Sequence, residues 1–113
     1  MRIVLIGAVS AGLGAALADH LDLDHVHRPD EITRDAFVLE GWPRDLREAI
    51  ALDAALSRRA ADVDVVLWLR GSPSTPRSEA VLDHYRGRIV EFEGGADSVE
   101  SALDGIREAL LVG

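Results

Sequence analysis

The 113-residue chain contains no cysteine, which excludes disulfides, thiolate metal centres, iron–sulfur clusters and thiol nucleophiles. It also lacks lysine, asparagine and glutamine, so all 12 basic side chains are arginine and Schiff-base or lysine acid–base chemistry is excluded. Positive charge is scarce: 20 acidic residues against those 12 give a net charge of -8. Such a field repels phosphate backbones and anionic bilayers, so nucleic acid and membrane surfaces are poor partners. No apolar run approaches the ~20 residues that a membrane span needs, and the N-terminus has neither a basic region nor a small-residue cleavage site. These absences lead to the expectation of a soluble, cytoplasmic protein. What the chain does have is 48% hydrophobic residues, enough for one ordinary core, and residues 1–113 read as a single domain.

Three largely apolar, branched runs read as buried strands: Ile3 to Ile6, Phe37 to Leu39 and Val63 to Leu69, with a weaker fourth at Arg88 to Phe92 and a brief one around His25 to His27. Helical patterns alternate with them. One follows the first strand and runs through Leu21. A second spans about Leu46 to Leu56, opened by a box-like pair, Asp45 and Glu48, with Leu46, Ala49, Ile50 and Leu56 expected inward. A third should start at Thr75 with Pro76 at its first position and stop near Gly87. The last carries Val99, Ala102, Leu103, Ile106 and Leu110 on one face, with Asp97 and Glu100 at its start. Parallel strands need crossovers of this kind, so the fold class is α/β, a sheet with helices on both faces.

The first strand runs into Gly7-Ala8-Val9-Ser10-Ala11-Gly12-Leu13-Gly14-Ala15 and then a helix, where an α/β protein turns backbone amides toward an anion. A dinucleotide fingerprint fails, because Leu17 stands where the third glycine belongs. A phosphate-cradling P-loop has four residues between its glycines, then lysine and a hydroxyl. Gly7 and Gly12 satisfy the spacing, while Leu13 and Ala15 occupy the chemical positions.

A second motif is more specific. Phe37-Val38-Leu39-Glu40-Gly41-Trp42-Pro43-Arg44, followed by a helix ending in Ala51-Leu52-Asp53-Ala54-Ala55-Leu56, resembles the adenylate kinases, in which an apolar strand ends in Asp-Gly-aromatic-Pro-Arg. The opening strand, Asp62 to Arg70, and the segment from Tyr85 through Phe92 and Gly94 to the last helix are also similar to that family. The resemblance implies a three-layer P-loop NTPase-like core with a five-stranded parallel sheet in the order 2-3-1-4-5. It also implies that two lobes of the family are missing: the monophosphate-binding domain, between Asp30 and Thr33, and the lid, between Arg70 and Ser78.

By the same resemblance, Gly7, Gly12 and Gly14 match the loop glycines that approach the donor phosphates. Leu13 replaces the lysine that neutralises them, and Ala15 replaces the adjacent threonine. Arg44 matches the arginine that holds the acceptor's phosphate. Glu40 stands where an aspartate organises magnesium-bound water, and Glu48 where a glutamine reads the acceptor adenine. The nucleotide- or anion-binding set is therefore Gly7, Gly12, Leu13, Gly14, Ala15 and Arg44, with Glu40 as a magnesium-water position. No catalytic residue and no metal centre are assigned. Phosphoryl transfer is nearly all positioning and charge stabilisation, and losing one preorganised donor costs ~100- to 1,000-fold.

The expectation is thus a catalytically degenerate core that serves as a weak nucleotide- or anion-binding module or a protein-interaction module. It needs no cofactor, and ATP, ADP, AMP or phosphate with magnesium are its weak ligands. An active minimal nucleoside-monophosphate kinase and a structural assembly subunit are the alternatives. Trp42, at a strand's C-terminal end, is the candidate contact for a protein partner or a homodimer. His25 and His27 alternate and share a strand face near Asp22 and Asp24, a pattern more often found in solvated connectors than in metal sites. His20 and His84 have no evident partner in the sequence, and Trp68 reads as core.

Overall fold

The structure, a computed structural model, describes residues 1–6, 12–59, 61–69, 75–92 and 98–112. Residues 7–11, which include Gly7, the connector 71–74, and Gly94 and Asp97 lie outside this set. The chain alternates strand and helix as the apolar runs demand: β1 (Arg2–Ile6), α1 (Leu13–Leu21), β2 (Asp24–Val26), β3 (Phe37–Glu40), α2 (Leu46–Ser57), β4 (Val65–Leu69), α3 (Pro76–His84), β5 (Ile89–Phe92) and α4 (Ser98–Val112). The five strands form one parallel sheet in the order β2-β3-β1-β4-β5. The fold is the α/β layout implied by the resemblance, and no described helix is long and apolar enough to cross a membrane.

Strand pleating divides the core in two, because successive side chains point to opposite faces. Val4, Ile6, Phe37, Leu39, Val66 and Trp68 face α2 and α3, where they meet Ala49, Leu52, Leu56, Val81 and Tyr85. Ile3, Leu5, Val38, Val65, Leu67 and Phe92 face the other way, against Leu13 and Leu17 of α1 and Ala102 and Ile106 of α4. Because both faces are covered, β1 and β4 have almost no polar positions. Each fully buried leucine or isoleucine here contributes roughly 1.5–3 kcal/mol.

Helix α2 departs from its expected phase. Ala49, Leu52 and Leu56 are buried, whereas Leu46 and Ile50 are 41% and 55% exposed. The buried stripe is centred on Ala49, whose small side chain lets the helix lie close to the sheet. Leu46 and Ile50 then fall about 60° and 100° round the helix from Ala49, on the side away from Leu52 and Leu56. The cap is also only half as expected. The Asp45 side chain accepts from the Glu48 N–H at 2.9 Å, but Glu48 turns back to the Arg44 N–H at 2.7 Å. Helix α3 starts as expected, with Pro76 in its first turn and Thr75 and Ser78 capping reciprocally.

His84 does have a partner. Its Nε2 meets a carboxylate oxygen of Asp53 on α2, and the other oxygen accepts from the Tyr85 hydroxyl at 3.1 Å. Sequence reading missed this pair because the partners are 31 residues apart. Tyr85 is 1% exposed. Burial, then the charge of Asp53 and its hydrogen bond, push the phenol above its ordinary value. A raised folded-state pKa means that this group's contribution to stability is whole below the ordinary tyrosine pKa of ~10 and is lost as pH rises beyond it. Tyr85 is the only tyrosine, so the tyrosinate ultraviolet band reports it alone. We expect the band to stay silent through the ordinary range and to emerge together with alkaline unfolding. A smooth titration near the ordinary value, with the circular dichroism of the folded chain intact, contradicts this placement.

Candidate functional site

The C-terminal ends of β1 and β3 open onto the start of α1, where α/β sheets hold ligands. Gly12 precedes α1 at φ 84°, a left-handed conformation that favours glycine, and it supplies no side-chain cap. The first-turn N–H groups therefore keep the helix's positive end, the usual provision for an anion. Of the expected loop set, Gly12, Leu13, Gly14 and Ala15 are described.

The side chains at these positions are less uniform than the motif. Ala15 is exposed and carries no hydroxyl. Leu13 is 2% exposed and packs with Leu17, Val38 and Leu67 in the core between α1 and the sheet. The place at which the resemblance puts a phosphate-neutralising cation is thus part of the hydrophobic interior. Gly14 faces a close approach. A Cβ there would lie 2.1 Å from Glu40 Oε1 and 2.6 Å from His25 Nε2, so only a hydrogen fits without moving that pair.

Glu40 ends β3 on the same sheet face as Val38, and the β2–β3 register brings His25 opposite Val38. Its carboxylate consequently meets His25 Nε2 at 3.2 Å, with both side chains one-quarter exposed. Magnesium wants octahedral oxygen ligands. A carboxylate engaged by imidazole, an alanine in place of the hydroxyl and a buried leucine in place of the lysine do not fit the magnesium–triphosphate arrangement of the family.

Arg44 follows β3 after Gly41, Trp42 and Pro43 and precedes α2. With Ile6, Gly41, Pro43, Ser78 and Val81 it lines a 210 Å³ pocket at the sheet's C-terminal edge. Its guanidinium lies flat against Glu48, Nε to Oε1 at 3.0 Å and Nη2 to Oε2 at 2.8 Å. These paired hydrogen bonds, with the charge behind them, hold the Glu48 carboxyl below the usual carboxylate range and Arg44 above its ordinary value. The arginine expected to hold an acceptor phosphate is therefore already carrying an internal carboxylate, although its side chain is 74% exposed. An anion must compete with Glu48 for it. Trp42 is half-buried and packs against the α2/α3 side of the core instead of standing free.

The two connectors that in the resemblance carry lobes are short. Between β2 and β3 run ten residues containing a single 3₁₀ turn, Pro29–Glu31. Its carboxylate Glu31 accepts from the His27 N–H at 2.7 Å and the Arg28 N–H at 3.1 Å. Between β4 and α3 run six residues. Neither span has the length to form a lobe. Sequence reading missed the Glu40–His25 contact. Its only signal was the parallel register, which places i, i+2 positions of two adjacent strands on one face.

No family model matches the chain. Among curated proteins, the adenylate kinase of Mycobacterium leprae (strain Br4923) is 35% identical over 89 residues, 79% of this chain and 42% of that protein. The adenylate kinase of Mycobacterium tuberculosis (strain ATCC 25618 / H37Rv) is 33% identical over 87 residues, 77% of this chain and 41% of that protein. That of Mycobacterium ulcerans (strain Agy99) is 33% identical over 87 residues. The chain thus spans about two-fifths of the length of the curated relatives it matches.

Proposed function

We infer that this chain, an adenylate kinase relative over 79% of its own length, is a core without phosphoryl transfer that binds a nucleotide or phosphate weakly and works as a regulatory or protein-interaction module. The observation that carries the reading is Leu13, 2% exposed inside the core at the position of the family's loop cation. Arg44 in the grip of Glu48 supports it, as does the brevity of the two connectors. What is left for an anion is backbone: the N–H groups at the start of α1, plus whatever share of Arg44 it takes from Glu48. Residual kinase activity is the second reading, and it rests on the 35% identity to an adenylate kinase.

Calorimetric titration with ATP, ADP, AMP and inorganic phosphate tests the binding half. All four should bind no tighter than about 10 µM, since few cationic contacts remain to offset the cost of association. Submicromolar ATP affinity contradicts the reading. Glu48→Gln releases the guanidinium, and phosphate affinity should rise roughly 2- to 5-fold, the scale of one exposed ion pair. An unchanged affinity in that variant removes Arg44 from the site. A second copy of the chain is the partner we propose for the interaction role, with exposed Leu46 and Ile50 on α2 as its apolar contact. Ile50→Asp should then convert a dimeric mass in light scattering to a monomeric one, and a monomeric parent chain contradicts this.

A further inference from the structure

Three side chains converge beside α1 with ligand chemistry that neither a nucleotide nor packing uses. His25 and His27 lie two apart along β2 and its end, so the strand's pleat puts both on the α1 side of the sheet. Their ring centroids are 4.7 Å apart. Glu40, at the end of the neighbouring strand, projects from the same face, and one ligand atom from each of the three lies within 4.8 Å of the others. We propose that His25, His27 and Glu40 form a binding site for a borderline divalent transition-metal ion, of which Zn(II) is the representative. The proposal stands whether or not a nucleotide binds.

Two imidazoles and one carboxylate suit zinc, nickel, cobalt or copper, whereas magnesium and calcium take oxygen ligands. Zinc–nitrogen and zinc–oxygen bonds of ~2.0–2.2 Å place tetrahedral ligands roughly 3.3–3.5 Å apart. His25 Nε2 and Glu40 Oε1, 3.2 Å apart, already have that spacing. His27 has at most roughly 1.5 Å to close, and it is exposed and free to rotate toward the pair. Three protein ligands leave a fourth position to water.

The surroundings favour a cation. The groove between α1 and β2, 610 Å³ in volume, is lined by Asp19, Asp22, Asp24 and Glu31 together with His25. Asp24 is held by Arg34 through two hydrogen bonds of 3.0 and 3.1 Å, so it neutralises that guanidinium and does not compete for the ion. Glu31 is tied to the backbone at His27 and Arg28, which fixes the turn carrying His27. Gly14 supplies the room: its missing Cβ is the space in which Glu40 and His25 meet. The sequence had pointed to Asp22 and Asp24 as companions of the two histidines. The carboxylate that faces them is instead Glu40, 15 residues from His25.

The test is titration of the chain with Zn(II), Co(II) and Mg(II) as free ions in a non-coordinating buffer, read by calorimetry and, for cobalt, by its visible d–d bands. The expected result is saturable binding of one zinc or cobalt per chain, with magnesium at least ~10-fold weaker. His27→Ala removes an exposed ligand that belongs to neither core cluster, at the cost of its ring contact with His25. It should weaken zinc at least ~10-fold and alter the cobalt spectrum, and Glu40→Gln should do the same. His84→Ala, on the opposite face of the sheet, should change neither. His25→Ala is informative only if circular dichroism shows it folded, so His27→Ala carries the decision. Failure of zinc to saturate, binding unaffected by His27→Ala and Glu40→Gln, or equal affinity for magnesium overturns the proposal.

Discussion

Leu13→Lys should lower the unfolding free energy by roughly 3–5 kcal/mol, a large share of the ~5–15 kcal/mol that a domain has. The substitution restores the family's loop residue by sequence, yet in this chain the position is 2% exposed among Leu17, Val38 and Leu67. Truncating a buried leucine costs ~2–5 kcal/mol, and an amine in its place adds the penalty of an unpaired polar group. The positive end of α1 repels the charged form further. Burial depresses the introduced amine's folded-state pKa, so between that value and its unfolded one the unfolded chain binds more protons, and stability rises with pH. The deficit against the parent chain should therefore narrow as pH climbs toward ~10. Leu13→Met, which keeps volume and apolarity, should cost less than ~1.5 kcal/mol. Urea denaturation of the three chains at two pH values checks both statements. A deficit for Leu13→Lys below ~1 kcal/mol would mean that the side chain reaches the loop, and the core assignment of this position would be wrong.

How far the sequence disclosed this molecule depends on which physics governs each feature. The sheet and its flanking helices were legible because fully buried parallel strands leave unbroken apolar runs, such as Val65 to Leu69, and because Thr75, Pro76 and Asp45 announce helix starts chemically. The phase of α2 was not. A helix whose buried stripe is centred on Ala49 carries larger apolar residues, Leu46 and Ile50, outside the contact, and a pattern weighted by hydrophobicity picks them first. The site was legible as a motif and misread as chemistry. Leu13 reads as a lost cation in the loop alignment, and only packing reveals that it is a gained core residue. Glu40 reads as a magnesium-water carboxylate, and only the β2–β3 register places His25 against it. Asp53 with His84 and Tyr85 was invisible for the same reason, since contacts across two crossovers leave no local signal.

The second large effect concerns rate. Ordinary kinases turn over at ~1–100 per second through a charge clamp on the transferred group and exclusion of water around it. Two components of that clamp are altered here: the cation position is buried leucine, and the hydroxyl position is Ala15. A third, Arg44, is bound to Glu48. The short connectors leave no lobe to close over the reacting groups. One lost preorganised donor costs ~100- to 1,000-fold, and losses within a cooperating set do not recover singly. Ala15→Thr alone, which returns the hydroxyl, should therefore restore no turnover. The most direct measurement is phosphorus-31 NMR of ATP, AMP and magnesium incubated with the chain at high concentration, following the β-phosphate of ADP. ADP should form no faster than in the protein-free control. ADP accumulating from ATP plus AMP at about one turnover per second or more would contradict it.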